Sequence, residues 1–365
     1  MNPFRFGNVV TGEYFTDRKN EIKEIVSEIK AGQHMVIMSP RRYGKTSLVN
    51  EAMKASGVKW IRINMELIAD EVDLANYYVR NALSLSKFEK IKHYLKNLKI
   101  QPYIQIQPTT NEVSVSFSAE TRNISTLLSD SLQLPETIAG SMKKRVVIVF
   151  DEFQEIRRIS PMLERKMRGI FQYHQNILYI FIGSQESMIR EIFQNKKNPF
   201  YKFGRHMNLR KIPEDEFSDF VIKRFSSQHI DAREIVKEIL IFTDCHPYYT
   251  QQLCHEIYLL SGKKILTKGV INKAVDQIAT EHHADYSRWW GSLTNTERKV
   301  IIGITSGDHN PTSQGFIRKY GIKSASTSGS VVSKLITLGT LVKKNEEKIK
   351  IEDPFWREWI LKNRR

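Results

Sequence analysis

Short apolar runs along the first half of the chain alternate with segments of helical periodicity. The runs lie at residues 34–38, 60–65, 145–150 and 178–182, and the last two are apolar at almost every position. Residues 15–29 instead place isoleucine or valine three or four positions apart, the spacing of an amphipathic helix. Continuous apolar strands separated by helices are typical of a parallel sheet buried on both faces. The pattern therefore predicts an α/β fold with helices on both faces of the sheet.

A second kind of strand interrupts this pattern. Residues 103–106 and 112–117 alternate apolar and polar side chains, and the turn-forming residues 107–111 join them. Alternation with a period of two on both sides of a turn indicates a β-hairpin. We therefore expect a hairpin at about residues 101–119, inserted in an α/β domain that covers residues 1–212.

The rest of the chain has mainly helical spacing. From Pro213 to Ala279 apolar residues recur at helical intervals without a strand-like run, which predicts an α-helical domain over residues 213–288. In residues 289–365, three helices precede a hairpin and a short final helix. These elements are predicted at residues 296–304, 312–320, 326–338, 341–351 and 354–361. Three helices followed by a hairpin match the winged helix-turn-helix pattern.

The loop after the first apolar run carries the strongest chemical signal. Residues 39–46 read Ser-Pro-Arg-Arg-Tyr-Gly-Lys-Thr and nearly match the phosphate loop G-x-x-x-x-G-K-[ST], between a strand and a helix. Backbone N–H groups of such a loop surround a phosphate, helped by the positive end of the following helix. We expect Lys45 to reach the β- and γ-phosphates and Thr46 to ligate Mg²⁺. The residues predicted to bind the nucleotide here are Pro40, Arg41, Arg42, Tyr43, Gly44, Lys45, Thr46 and Ser47.

Ser39 departs from the phosphate-loop pattern, because glycine is usual at its position. If the position needs a positive φ, a serine is strained there. Gly44, Lys45 and Thr46 are retained, so the departure bears on turnover more than on binding. The sequence leaves open both slow hydrolysis and nucleotide binding without turnover.

Two carboxylates follow the apolar run 145–150. In phosphate-loop enzymes an acid at this place holds Mg²⁺, and the next acid can polarise the attacking water. We therefore predict Asp151 as the metal-side residue and Glu152 as the general base. Acids also follow strands simply as helix caps, but the phosphate loop about a hundred residues upstream favours the catalytic interpretation.

Further polar positions are candidates for contact with the phosphates. Ser184 and Gln185 follow the apolar run 178–182, where either side chain can sense a γ-phosphate, although Ser184 can equally be only a helix cap. Arg205 follows a loop, and an arginine can neutralise charge that develops on a transferred phosphoryl group. Whether Arg205 acts in its own subunit or across an interface stays open, as does the oligomeric state.

Composition narrows the class of protein. The 365 residues are 41% hydrophobic and 26% charged, which excludes disorder as the dominant state. No apolar run is long enough to cross a membrane, and the first residues lack the apolar stretch of a secretory signal, so we expect no membrane association. The two cysteines, Cys245 and Cys254, exclude a disulfide scaffold and a zinc ribbon and favour a cytoplasmic location.

The net charge favours polyanionic partners. Lysine and arginine number 56 and aspartate and glutamate 40, and the net charge of +16 suits nucleotides and nucleic acids, although it also serves solubility alone. Residues 291–365 hold 14 basic and 7 acidic residues. The basic side chains expected to face DNA are Lys334, Lys343, Lys344, Lys348 and Lys350. A winged helix can also dock on protein, so double-stranded DNA and a protein partner both stay open.

These motifs together resemble the archaeal-type ATPase family, a branch of the STAND NTPases within the AAA-like class. The resemblance covers most of the chain and rests on residues 15–18, 40–47, 150–152, 183–184, 203–205 and 246–249. Residues 2–4 and 12–15 are similar to bacterial versions of the Bacteroidetes type. The family implies a P-loop ATPase core, an α-helical lid and a C-terminal winged helix.

The resemblance also implies roles for individual residues. It places Phe15 and Arg18 near the adenine and matches Pro247 to the lid proline that packs on the base. Arg205 matches the family's Gly-Arg at the end of its fourth strand region. Origin-initiator ATPases share the layout but carry a lid arginine that residues 246–248 lack, which favours the STAND interpretation.

From the residues and the resemblance we expect a switch that binds ATP or ADP with Mg²⁺ and hydrolyses ATP slowly. The nucleotide is expected between core and lid, so that closure of the lid repositions the winged helix. The alternative is a DNA-binding regulator that holds nucleotide without turnover. A third interpretation is a helper ATPase of a mobile element or defence system.

Overall fold

The computed structural model describes residues 1–16, 18–86, 94–96, 98–106, 113–117, 123–261, 266–343 and 348–364. Its strands are β1 (Met35–Met38), β2 (Lys59–Asn64), β3 (Tyr103–Ile106), β4 (Val113–Ser116), β5 (Val146–Asp151), β6 (Ile177–Gly183), β7 (Arg205–Asn208), β8 (Leu341–Lys343) and β9 (Ile349–Ile351). Its α-helices are α1 (Lys19–Ala31), α2 (Lys45–Ser56), α3 (Glu71–Leu83), α4 (Ile124–Met142), α5 (Ile156–Ile159), α6 (Leu163–Phe171), α7 (Glu186–Gln194), α8 (Glu214–Ser226), α9 (Val236–Thr243), α10 (Pro247–Leu260), α11 (Gly269–Glu281), α12 (His283–Ser292), α13 (Asn295–Thr305), α14 (Gln314–Tyr320), α15 (Ala325–Thr337) and α16 (Pro354–Asn363).

The chain forms two compact units. The first, called here the α/β unit, comprises Arg18–Pro40 and Lys45–Arg210. The second, called the helical unit, comprises Met1–Asp17, Arg41–Gly44 and Lys211–Arg365. Residues 41–44, the tip of the predicted phosphate loop, thus belong to the helical unit, whereas the residues before and after them belong to the α/β unit.

A five-stranded parallel sheet with the order β2-β5-β6-β1-β7 forms the α/β unit. Every residue of β1, β5 and β6 is buried, as their apolar sequences require, and this confirms the predicted parallel sheet. The edge strand β7 was not predicted. Only Met207 of its four residues is buried, so β7 lacks the apolar run that identified the other strands.

The register of the sheet places the predicted chemical motifs at one edge. Met38 of β1 pairs with Gly183 of β6, and Asn64 of β2 pairs with Asp151 of β5. The segments after β1, β5 and β6 therefore leave the sheet at its carboxyl edge, where ligands bind in open α/β sheets.

The predicted hairpin is present as the antiparallel pair β3–β4, in which Tyr103 pairs with Ser116. It forms a separate two-stranded sheet in the α/β unit. The connection predicted at residues 107–111 lies outside the described residues.

In the helical unit, α8 to α12 form the predicted helical segment, and α13 to α15, the β8–β9 hairpin and α16 form the predicted winged helix. Thr294 and Glu297 make a capping box at the start of α13. Asp353 caps α16 by accepting hydrogen bonds from the backbone of Phe355 and Trp356. The domain boundary predicted at residue 288 falls inside α12. Among the described residues, none of the helices is sufficiently long and apolar to traverse a membrane.

Candidate nucleotide-binding site

The loop between β1 and α2 has the backbone of an anion-binding turn. Two of its residues have positive φ, Arg42 at 66° and Gly44 at 83°, whereas Ser39 does not. Alternation of right- and left-handed residues is how backbone N–H groups form a concave anion site. Ser39 therefore does not carry the backbone strain considered above, because the left-handed residues of this loop are Arg42 and Gly44. Ser39 is fully buried directly after β1.

Lys45 begins α2 and is almost completely buried. Its Nζ donates to the carbonyl oxygens of Ser39, at 3.0 Å, and Pro40, at 2.8 Å. Burying an ammonium group is costly unless donors and charge are compensated. The charge of Lys45 also acts to lower the pKa of Asp151, and a buried lysine at the start of the helix after this loop fits a site that receives an anion. Ser47, in the same first turn, is also buried.

Thr46 connects the phosphate loop to the acidic end of β5. Its hydroxyl donates to Oδ2 of Asp151 at 3.0 Å, and Nε of Arg62 lies 3.7 Å from the same oxygen. Burial raises the pKa of Asp151, against the opposing effects of Arg62 and Thr46. A hydroxyl and a carboxylate at this spacing are oxygen ligands of the kind that Mg²⁺ prefers, and they fit the predicted metal side of the site.

Glu152 follows Asp151 with a left-handed backbone, φ 51°. Its Oε2 accepts hydrogen bonds from the Ser184 hydroxyl at 2.6 Å, from the Ser184 backbone N–H at 3.2 Å and from the Gln154 amide at 2.6 Å. The structure thus brings two predicted catalytic residues, Glu152 and Ser184, into direct contact. Ser184 is not the cap of α7, whose N-cap residue is Gln185.

Arg205 lies away from these residues. It pairs in the sheet with Met35, the first residue of β1, so it sits at the amino edge, about 10 Å along the strand from the phosphate loop. Its guanidinium forms ion pairs with Glu28 and Glu24 of α1 and is 56% exposed. The structure therefore does not join Arg205 to Lys45 within the α/β unit.

The predicted adenine contacts are divided between the two units. Arg18 is buried before α1 with φ 41°, is paired with Glu21 at 3.1 Å and donates to the carbonyl of Arg210. Phe15 and Pro247 belong to the helical unit. There the Tyr14 carbonyl accepts a hydrogen bond from Gln251, one turn after Pro247 in α10.

The tip of the phosphate loop contacts the start of α10 within the helical unit. The exposed Arg41 leads to Arg42, whose guanidinium lies 4.7 Å from the ring centroid of Tyr248. Tyr43 is buried against the imidazole of His246. His246 is the N-cap of α10, because its Nδ1 accepts hydrogen bonds from two backbone N–H groups of the first turn. Two side chains of the loop thus rest on one helix terminus.

Glu352, which follows β9 of the winged helix, completes this cluster. Its carboxylate lies 3.3 Å from Nε2 of His246 and 3.7 Å from Nζ of Lys211. Burial acts to raise the pKa of Glu352, but the contact with His246, the charge of Lys211 and the Tyr43 hydroxyl outweigh it and hold the pKa below its ordinary value. Burial lowers the pKa of His246. A neutral imidazole beside an ionised Glu352 accounts for both directions.

Two of the lysines expected to face DNA form ion pairs within the protein. Lys350 pairs with Asp244 of the helical unit, and burial together with Lys211 lowers the pKa of Lys350 to about 7. The expectation that Lys350 faces DNA is therefore corrected. Lys334 is exposed but pairs with Glu297 at 2.7 Å. Lys343 and Lys348 are exposed, and Lys344 lies outside the described residues.

Two functional candidates escaped the sequence reasoning. Gln154 lies only two residues after Glu152, and this spacing was a usable signal. No sequence signal identifies Glu352, because nothing near it in the sequence indicates contact with residues 43 and 246.

Two protein-family models match parts of the chain. A family model described as an ATPase domain predominantly from Archaea matches residues 15–253. A second model, described as a probable winged helix domain, matches residues 284–362. No curated protein matches the chain.

Several solved structures share the fold. A Walker-type ATPase of Pyrococcus abyssi is similar with a TM-score of 0.70 at 15% identity, over 98% of this chain and 99% of its own. The ORC2 protein of Aeropyrum pernix, in ADPNP-ADP complexes, has a TM-score of 0.51 at 12% identity, over 99% and 97%. The ORC1 protein of the same organism, in complex with DNA, has a TM-score of 0.50 at 11% identity, over 95% and 92%. At these identities the likeness establishes the fold alone.

Proposed function

The chain belongs to the family of ATPase domains found predominantly in Archaea, and we propose that it binds ATP with Mg²⁺, hydrolyses it slowly and acts as a nucleotide-controlled switch coupled to its winged helix. The observation that supports this most directly is the convergence of a buried lysine, a hydroxyl and two carboxylates after β1, β5 and β6. They are Lys45, Thr46, Asp151 and Glu152.

Each residue has a distinct task in this proposal. Lys45 donates to phosphate oxygens when nucleotide binds, in place of the loop carbonyls that it contacts here. Thr46 and Asp151 hold Mg²⁺, which supplies charge neutralisation at the phosphates. Glu152 accepts a proton from the attacking water. Arg205, at the amino edge of the sheet, takes part only if a second subunit presents it.

The coupling to the winged helix rests on the tip of the phosphate loop. Arg42 and Tyr43 contact α10, and Glu352 lies beside Tyr43 and His246. A loop that closes around phosphate changes the backbone at these two residues. The cluster at Glu352 then has to readjust, which gives the winged helix a direct dependence on the nucleotide.

Binding of double-stranded DNA by the winged helix is the second candidate. It is supported by the exposed Lys343 and Lys348 and by the exposed hydroxyl side chains along α15. The ORC1 protein with a similar fold was solved with DNA. The alternative in which nucleotide is held without turnover predicts bound nucleotide and no release of phosphate.

Phosphate release from ATP tests the proposal. We expect purified protein to release phosphate, Lys45→Ala to abolish release, and Glu152→Gln to retain bound ATP and to lower the rate of release by about a hundredfold or more. Lys54→Ala, which removes an exposed lysine from the same helix, is the matched control and should leave the rate unchanged. If ATP binds but the wild type releases no phosphate, the hydrolysis proposal is wrong. Duplex DNA in a parallel assay distinguishes the second candidate, which predicts a changed rate.

A further inference from the structure

Gln154 is the one side-chain amide that touches the predicted general base in the described part of the chain. Its Nε2 donates to Oε2 of Glu152 at 2.6 Å. The same oxygen accepts from both the hydroxyl and the backbone N–H of Ser184. A carboxylate has about four acceptor positions shared between two oxygens. Three donors on Oε2 therefore use up that oxygen and leave Oε1 to receive a proton.

The amide is fixed by its surroundings rather than by its own hydrogen-bonding needs. Gln154 is 1% exposed, and its Oε1 has no hydrogen-bond partner among the described residues. A buried oxygen without a partner is unfavourable, so a glutamine kept only for packing would be replaced by an apolar side chain at no loss. The hydrogen bond from Nε2 of Gln154 to Glu152 explains why an amide occupies this buried position.

Gly183 leaves room for this arrangement. A Cβ at position 183 would lie 2.7 Å from Oε1 of Gln154 and 2.2 Å from Cγ1 of Ile189. Gly183 is also the last residue of β6, directly before Ser184. The end of β6 therefore positions one donor and gives space to the other.

We propose that Gln154 is a positioning residue, which together with Ser184 holds the Glu152 carboxylate in the single orientation that presents Oε1 to the attacking water. The inference rests on the proposed ATP hydrolysis. A general base acts only within about 2.6–3.2 Å of the proton that it removes, so loss of orientation lowers the rate of the chemical step. Binding of ATP depends on Lys45, Thr46 and Asp151 and is unaffected, because Gln154 contacts none of them in the described structure.

Kinetics of Gln154→Met test the proposal, because methionine matches the length of glutamine and removes only the amide. We expect kcat for ATP hydrolysis to fall by about tenfold to a hundredfold with KM for ATP within a factor of two. The melting temperature should not decrease, since the variant also removes the unpaired Oε1. Gln172→Met, on an exposed glutamine after α6, is the matched control with unchanged kcat.

A double-mutant cycle separates positioning from a structural role. In a Glu152→Gln background, measured under single-turnover conditions, Gln154→Met should cause no further loss, because the residue acts through Glu152. Equal losses in both backgrounds, or an unchanged kcat in Gln154→Met alone, would overturn the inference. Ser184→Ala gives an independent second measurement and should lower kcat less, since the backbone N–H of Ser184 remains.

The proposed function and the inference fail in different ways. A wild type without phosphate release refutes the hydrolysis on which both depend. A wild type that hydrolyses ATP, loses activity in Glu152→Gln and keeps it in Gln154→Met refutes the inference alone.

Discussion

Tyr43 packs edge-on against His246, with ring centroids 4.9 Å apart and ring planes at 82°. Tyr43 lies in the predicted phosphate loop, whereas His246 is the N-cap of α10. On the other side of the imidazole, the Glu352 carboxylate of the winged helix lies 3.3 Å from Nε2. One buried histidine thus connects the phosphate loop, the first turn of a helix and the end of a winged-helix strand.

Removal of the Glu352 charge should destabilise the helical unit. Glu352→Gln leaves the volume almost unchanged but weakens the interactions with His246 and Lys211. We expect the free energy of unfolding to fall by about 1–3 kcal/mol. Urea unfolding, followed by the fluorescence of the tryptophans in the helical unit, measures this change. Glu358→Gln, on a glutamate that pairs only with its neighbour Arg357 among the described contacts, is the control and should change little.

The loop tip should couple to Glu352 in nucleotide binding. Tyr43→Phe keeps the ring against His246 and removes the hydroxyl that lies beside the Glu352 carboxylate. We expect Tyr43→Phe and Glu352→Gln each to change the dissociation constant for ATP severalfold, and the double variant to change it no more than the larger single effect. Isothermal titration calorimetry of the four proteins checks this. Strictly additive effects would mean that the two residues act independently.

The Mg²⁺ concentration that ATP binding requires should depend on the Thr46 hydroxyl. Its hydroxyl bonds Asp151 at 3.0 Å, so Thr46→Ser retains the ligand and Thr46→Val removes it with little change in volume. We expect Thr46→Val to need at least tenfold more Mg²⁺ for ATP binding, while Thr46→Ser resembles the wild type. Fluorescent-nucleotide titrations at several Mg²⁺ concentrations provide the measurement. An identical Mg²⁺ requirement in the two variants would exclude the hydroxyl as a ligand.

The parallel sheet and its chemical edge could be predicted because the signals are local. β5 and β6 are continuous apolar runs, and the groups that follow them are adjacent in sequence to the strands that position them. β7 could not be predicted, since a four-residue edge strand with one buried side chain has almost no pattern. Lys350 was misassigned because the spacing within a hairpin does not reveal which charge lies opposite. Asp244, its partner, is 106 residues away in sequence.

The contacts of Tyr43 and Gln154 differ in the same respect. Gln154 contacts Glu152, only two positions away, so an amide closely following two carboxylates is a pattern visible in the sequence. Tyr43 meets residues 246 and 352, and no periodicity or motif spans that distance. Long-range contacts between polar groups follow from tertiary packing, which local propensity does not specify.

The stability of the α/β unit should depend on pH through His34. Its Nδ1 accepts a hydrogen bond from the backbone N–H of Tyr179 at 3.1 Å, and its ring stacks on Phe203. Burial, with the charge of Arg168, lowers the pKa of His34 to about 4 from its ordinary 6.5. The folded state thus holds the proton less tightly than the unfolded state. Stability is complete above pH 6.5 and is lost as the pH falls towards 4.

This linkage amounts to about 2 kcal/mol between pH 7 and pH 5. Hydrogen exchange of the most protected β1 and β6 amides, corrected for the pH dependence of intrinsic exchange, measures the opening free energy of this unit. His34→Asn keeps an acceptor near the Tyr179 N–H but does not titrate, so its loss between the two pH values should be smaller by this amount. His206, whose pKa burial also lowers, contributes equally to both proteins and cancels in the difference, whereas His174 interacts with His34 and its contribution does not cancel fully. Parallel losses in wild type and variant would show that the His34 ring does not carry the linkage.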